Sequence, residues 1–224
     1  MYHSAAARLW YIVGTEGGNM GKLERDFFDR DTLTVARELL GKYVVRSLGG
    51  TLLAGRITET EAYIGRMDKA CHAYGYKRTP RTETLFAPPG TAYIYLIYGM
   101  YCCLNFVTEP EGEPCAVLLR AVELRAGGDE MARLRFGCSM AEMSAYQRKN
   151  FLNGPGKVCK ALSLTKAQNG LDLTGDELFL TDDLSSLGLP LCPGDEAPLD
   201  IKTGKRVGID YAEEAVHFPW RFTL

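Results

Sequence analysis

The sequence predicts an α+β fold, one domain with flanking helices around a mostly antiparallel sheet and a protruding β-hairpin. Three observations carry this. Strand-like runs come first, helical patterns follow and short strands return, without regular β–α alternation. Glycine-bearing turns, Gly49-Gly50 and Gly99-Met100, join neighbouring strand-like runs as hairpins. The 224 residues, 46% hydrophobic and 24% charged, suit one sizeable core.

Residues 1–20 are expected to form a loosely held extension ahead of a domain spanning 21–224. Their short apolar patch, Leu9 to Val13, has little charge upstream and no small-residue cleavage site, so it makes a poor signal peptide. "RDTLTVARELLGK" then reads as a helix. Asp31 or Thr32 caps it, Leu33, Ala36, Leu39 and Leu40 share a face, and Gly41 ends it. "KYVVRSLGGTLLAGRITETEAYIG" reads as two or more strands turned at Gly49-Gly50. Residues 65–90 form a long loop rich in glycine, proline and basic side chains, a length that tends to be functional.

Strands at 91–98 and 101–107 follow, then a third, "CAVLLRAVEL", after the acidic turn "EPEGEP". Helical patterns cover about 128–136, 139–151 and 156–164. The last third returns to short strands in "ELFLTDD" and "LDIKTGKRVGID".

No apolar run approaches the roughly 20 residues of a membrane span. The seven cysteines include no C-x-x-C pair and no Cys/His cluster at zinc spacing, which fits reduced thiols in a cytoplasmic protein without a metal. The net charge of −2 hides an uneven distribution. Residues 120–166 hold nine cations and four acids, residues 167–224 four and eleven, and 66–81 five and one. A basic middle and an acidic tail fit a protein with one cationic face, or merely solvated surface charge.

Chemistry enters at "ITETEAY". On a strand Ile57, Glu59, Glu61 and Tyr63 share one face. Two carboxylates there are either a solvated face or a general acid and base. Arg120 interrupts the apolar "AVLLRAVEL", and a buried guanidinium needs a carboxylate. A glutamate on a neighbouring strand would serve, and the cation would hold it ionised, ready to activate water. A structural ion pair is the equal alternative. "TAYIYLIYGMYCC" gathers Tyr93, Tyr95, Tyr98 and Tyr101 around Gly99-Met100, with Tyr98 exposed where the chain reverses. Such rings suit a flat π-system near an acid, or simply half-buried strands. In "NGPGKVCKALSL", Pro155 marks a helix start and Lys157 and Lys160 face outward, where a phosphate or plain capping would fit.

The ordered set "LLGKYVV", "ITETEAYIG", "CHAYGYKRTPR", "PPGTAYIYLIYGMYCCLNF", "VLLRAVEL", "GPGKVCKAL" and "KRVGI…PWRF" resembles the alkyladenine (3-methyladenine) DNA glycosylases of the MPG type. The resemblance spans roughly residues 28–224. It implies a curved antiparallel sheet, no metal and no organic cofactor. It implies Glu61 as the base that activates the hydrolytic water and Arg120 as its partner. Tyr63, His72 and Tyr95 would be the aromatic walls around an extracted base. Asn105 would oppose the exocyclic amine of guanine, and Tyr98 would fill the gap left in the duplex. Contacts to the DNA backbone are expected at Met100, Lys157 and Lys160.

The implied activity is monofunctional hydrolysis of damaged purines (3-methyladenine, hypoxanthine, etheno-adenine) from double-stranded DNA by a monomer. Lyase chemistry would need an amine nucleophile, and no lysine occupies the matched pocket positions. Two rivals stand beside it: a carbohydrate hydrolase using Glu59 and Glu61, and a non-catalytic binder of damaged DNA.

Overall fold

The computed structural model describes residues 21–224, so the extension expected over 1–20 lies outside the described residues. A one-turn helix α1 (Arg25–Phe28) leads into α2 (Thr32–Glu38). Of the two candidate caps it is Asp31 whose carboxylate accepts the Thr34 N–H, while the Thr32 hydroxyl turns inward to Glu109. Strand β1 (Tyr43–Leu48) turns at Gly49 and Gly50, both left-handed, into the 14-residue β2 (Thr51–Ile64).

Beyond the loop come β3 (Ala92–Ile97), β4 (Tyr101–Thr108), β5 (Cys115–Ala126), α3 (Gly128–Phe136), α4 (Ala145–Lys149) and α5 (Pro155–Ala161). Strands β6 (Leu178–Thr181), β7 (Lys202–Gly204) and β8 (Arg221–Thr223) close the chain. Among the described residues these eight strands form one sheet, ordered β3-β4-β5-β2-β1-β6, with β8 beside β2 and β7 beside β8. Every strand pair is antiparallel. The fold is α+β.

Several element boundaries differ from expectation, among them the helix expected over 156–164, which runs Pro155–Ala161. The helix expected over 139–151 begins only at Ala145, because Ser144 and Gln147 form a capping box there. Ser139 and Glu142 close a separate turn upstream. In "LDIKTGKRVGID" only Lys202–Gly204 pairs as strand, and β8, three residues long, carries no period for the sequence to display. The long loop is ordered inside by Cys71, Ala73, Leu85 and Phe86, which pack with Tyr93, Val107 and Ala116 in a small second core.

Helices α2, α3 and α5 cover one face of the sheet, where Val35, Leu39, Met131, Val158 and Leu162 meet Leu104, Val117 and Leu119. The pairing of β2 with β5 skips Thr58 on one strand and Arg120 on the other. These two bulges reverse the inward parity of both strands at the same level. Ile57 therefore joins the helix-covered core with Ala62 instead of sharing a face with Glu59, Glu61 and Tyr63. Thr60, now also on that side, donates to the Ala36 carbonyl of α2 at 2.7 Å. The opposite face is left to the two acids and Arg120.

Candidate active site

One row of paired residues crosses five strands: Tyr93 faces Asn105, Asn105 faces Leu118, Leu118 faces Glu61, and Glu61 faces Arg221. Paired Cβ atoms lie roughly 5 Å apart, so the row brings an aromatic, an amide and an acid into one neighbourhood. A cavity of about 310 Å³ opens along it. Its wall includes Tyr63, His72, Tyr95, Tyr98, Asn105 and Arg120, so six of the expected site residues share one space. That volume is at the small end of ligand pockets, about 300–1,000 Å³, and suits one flat ring better than an extended chain.

Glu61 is fully buried and sits behind the wall formed by Tyr63, Arg120 and Val207. Its Oε2 accepts the Tyr63 hydroxyl at 2.7 Å. Its Oε1 accepts the Val207 N–H at 2.8 Å and lies 3.4 Å from Nη1 of Arg120. A carboxylate offers about four lone-pair positions, so two hydrogen bonds and the Arg120 ion pair leave acceptor capacity for a water. Arg120 also donates from Nε to Glu59 at 2.8 Å, and Arg221 lies 3.4 Å from the same Glu59 oxygen.

The expected effect of Arg120 on Glu61 needs correction. Burial pushes the Glu61 carboxyl up from 4.5, and this outweighs the opposing pull of Arg120, the Tyr63 hydroxyl and the Val207 amide. A guanidinium can favour an ionised partner and still lose to desolvation when the acid has no exposed surface.

The aromatic residues are fixed by one another. The His72 and Tyr95 rings meet edge to face with centroids 4.6 Å apart, and Tyr93 lies 5.4 Å from Tyr95. Arg81 can only donate, so Nε2 of His72 accepts from it at 3.3 Å and Nδ1–H donates to the Tyr93 hydroxyl at 3.1 Å. Burial, with the Arg81 charge added, lowers the His72 pKa to about 4, leaving the imidazole neutral. Asn105 is anchored by its amide group, which donates to the carbonyls of Tyr93 at 3.1 Å and Cys103 at 3.4 Å.

Tyr98 is 82% exposed and carries φ +52, with Gly99 at +70. Met100 donates back to the Ile97 carbonyl at 3.2 Å. The left-handed pair is thus Tyr98-Gly99, one position earlier than the expected Gly99-Met100 tip. A tyrosine held at positive φ is uncommon and costs on the order of 1 kcal/mol.

Met100, Lys157 and Lys160 lie outside the cavity. Lys157 and Lys160 line a neighbouring groove of about 500 Å³ with Phe136 and Tyr146, and Tyr98 forms the ridge between it and the cavity. Lys157 does not point freely outward, because its ammonium is held by Asn150 and Asn153 at 2.9 Å each. Part of the cationic surplus of 120–166 is likewise spent internally. Arg125 pairs with Asp195, and Arg135 and Arg148 donate to backbone carbonyls. Lys149, Lys160 and Lys166 remain exposed.

Several contributors escaped the sequence reading. Tyr93 was accessible to it, since it shares strand parity with Tyr95. Arg81, Cys103, Val207 and Arg206 reach the site through the long loop, the facing strand and the segment after β7, and no local pattern marks them. Among the described residues, no group of acids, cysteines and histidines is arranged to hold a metal, and no helix is long and apolar enough to cross a membrane.

Comparison with known proteins places this geometry. The profile of the family described as Methylpurine-DNA glycosylase (MPG) matches residues 26–224. A protein of Clostridium perfringens (strain SM101 / Type A) named "Putative 3-methyladenine DNA glycosylase" is 51% identical over 204 residues, 91% of this chain and 95% of the relative. A Desulfitobacterium hafniense (strain Y51) protein of the same name is 48% identical over 205 residues, covering 92% and 96%. A third of that name, from Bacillus cytotoxicus, is 48% identical over 196 residues, covering 88% and 92%.

Proposed function

Because the chain belongs to the methylpurine-DNA glycosylase family, and is thus a DNA glycosylase acting on damaged DNA, we propose that it extracts damaged purines from the duplex and hydrolyses their N-glycosidic bond. The observation that carries this reading is a buried acid, Glu61, hydrogen-bonded to the wall of an aromatic cavity whose rim bears an exposed tyrosine.

A base inside the stack is out of reach, so it must rotate out at a cost of a few kcal/mol, least for damaged pairs. Tyr98, already held out from the hairpin, enters the vacated space. Stacking of this kind contributes about 1–3 kcal/mol per base. The extracted purine lies against Tyr63, His72 and Tyr95, whose π-faces favour electron-poor or cationic bases such as 3-methyladenine. Hypoxanthine and etheno-adenine fit the same surface. Asn105, fixed by two carbonyls, crowds the minor-groove 2-amino group that guanine alone carries.

Glu61, through its remaining acceptor position, takes a proton from a water that attacks the sugar C1′. The C1′–N bond breaks with its electron pair leaving on the base, and the carboxylate and Arg120 keep the water in line. A negative acid beside C1′ also steadies the oxocarbenium-like centre. Among the described residues no lysine lines the cavity, which supports hydrolysis without lyase cleavage. We read 21–224 as one catalytic domain acting as a cytoplasmic monomer, with Met100, Lys157 and Lys160 near the DNA backbone. The sugar-hydrolase reading needs a free Glu59, whereas this side chain is engaged by Arg120 and Arg221.

The test is release of hypoxanthine from a labelled duplex, developed with alkali, by wild type and Glu61→Gln. Strand breakage by wild type only after alkali, with Glu61→Gln bound but inactive, is the expected result. Wild type silent on hypoxanthine, 3-methyladenine and etheno-adenine alike would leave a non-catalytic binder as the better reading.

A further inference from the structure

Arg206 does not line the cavity, yet it touches three parts of the site. Its side chain and that of Asp68 are completely buried. Nη1 and Nη2 meet the two oxygens of Asp68 in a fork. Nη1 also donates to the Ala62 carbonyl at 2.8 Å, and Nη2 to the Ala215 carbonyl at 3.3 Å. The guanidinium lies over the Tyr63 ring, 4.7 Å from its centroid, leaving only the other face of that ring for a stacked base. Ala62 is the residue between Glu61 and Tyr63. Val207, next in the chain after Arg206, sends its N–H to Glu61.

A fully buried ion pair is weak evidence of a stabilising device, since apolar residues of similar volume often serve as well. Its place beside the acid points to a different reason. The planar fork does what a lysine cannot: it binds Asp68 bidentately, reaches two carbonyls and lies flat on a ring.

We propose that Arg206, gripped by Asp68, is a positioning residue for Glu61, presenting the Val207 amide to the carboxylate and clamping the Tyr63 ring so that the acid keeps one orientation. This rests on the glycosylase reading above. Without the clamp the exposed segment around Val207 and Gly208 is anchored only on its far side, by Ile209 packed on Ala70, Ala212 and Ala215, and both neutral donors to Glu61 drift.

The groups that face Glu61 are Tyr63 and Glu59 from β2, Arg120 from β5, Cys103 from β4, and the Val207 amide with Arg206 from the segment after β7. Arg221 of β8 acts through Glu59. The Tyr63 hydroxyl and the Val207 amide depend on the clamp. Both favour the ionised acid, so losing them moves the acidic limb of the reaction upward. Arg206→Lys, which keeps a positive charge, separates their loss from loss of the Arg206 charge itself.

The experiment compares wild type with Arg206→Lys, which keeps a charge against Asp68, and with the double variant Asp68→Asn/Arg206→Met, which leaves no unpaired charge. Folding is checked by thermal melting. Single-turnover excision of hypoxanthine is followed from pH 5 to 9, and binding is measured to a duplex holding a tetrahydrofuran abasic-site analogue. The expected result is at least a tenfold loss of rate near neutral pH, an acidic limb displaced upward by half a unit or more, and duplex affinity within about threefold of wild type. A folded variant with wild-type rate, or with reduced rate and an unmoved limb, overturns the proposal. Absence of excision by wild type itself, on this and the other damaged bases, overturns the glycosylase reading and this role with it.

Discussion

The Tyr63 hydroxyl donates to Oε2 of Glu61 at 2.7 Å, between side chains two positions apart on the same strand. The spacing i, i+2 puts both on one face of β2, and the bulge at Thr58 decides that this face is the cavity side. A ring expected to serve as a wall for the base therefore also holds the acid. That double engagement makes the site sensitive to small changes.

Tyr63→Phe keeps the ring and its contact with Arg206 but removes one of the two hydrogen bonds to a buried carboxylate. A lost hydrogen bond to a charged group costs about 1–3 kcal/mol. We expect a lowered melting temperature and a rate deficit that is larger at pH 6 than at pH 8, read by single-turnover excision at both. An equal deficit at the two values would mean that the hydroxyl does not act through Glu61.

Wild type itself should show a displaced acidic limb. Burial raises the Glu61 carboxyl above 4.5, and the reaction needs the ionised form. Rate should then fall on acidification with a midpoint above that of an ordinary glutamate. A full pH–rate profile at saturating enzyme measures it, and a limb at or below 4.5 contradicts the balance of burial over Arg120.

Tyr98 separates stability from function. Its φ of +52 is unfavourable for tyrosine and natural for glycine, and its ring is 82% exposed. Tyr98→Gly should melt no lower than wild type. Excision should fall between roughly fivefold and a hundredfold, the equivalent of about 1–3 kcal/mol of stacking. A destabilised variant with full activity would place the residue among the structural ones.

His72 provides a signature in stability. Its folded pKa of about 4 lies below the ordinary 6.5, so between these values the unfolded chain binds the proton and the folded one does not. Stability contributed by the neutral ring is complete above about 6.5 and declines as pH falls toward 4. Urea unfolding at pH 5 and pH 7 should show the lower stability at pH 5, and the gap should narrow in His72→Gln. An unchanged gap would assign the acid sensitivity to carboxylates instead.

The family resemblance implied that Glu61, Tyr63, Tyr95 and Arg120 share one site. The sequence by itself determined the α+β class, the two hairpins, a helix start at Asp31 or Thr32 and the need of Arg120 for a carboxylate. These follow from local quantities: period-two alternation, glycines where φ must be positive, and a guanidinium in an apolar strand that demands a carboxylate. Only the tertiary structure decided the rest. The paired bulges at Thr58 and Arg120 break strict alternation and move Ile57 into the core. The direction of the Glu61 shift depends on how completely neighbouring elements exclude water, and a pairwise reading of acid and arginine cannot contain that. Arg206 and Asp68 lie 138 positions apart and meet because β2 and the segment after β7 converge on one acid. Burial and register are properties of the whole packed chain, whereas periodicity and turn chemistry belong to a few consecutive residues, and the site draws on both.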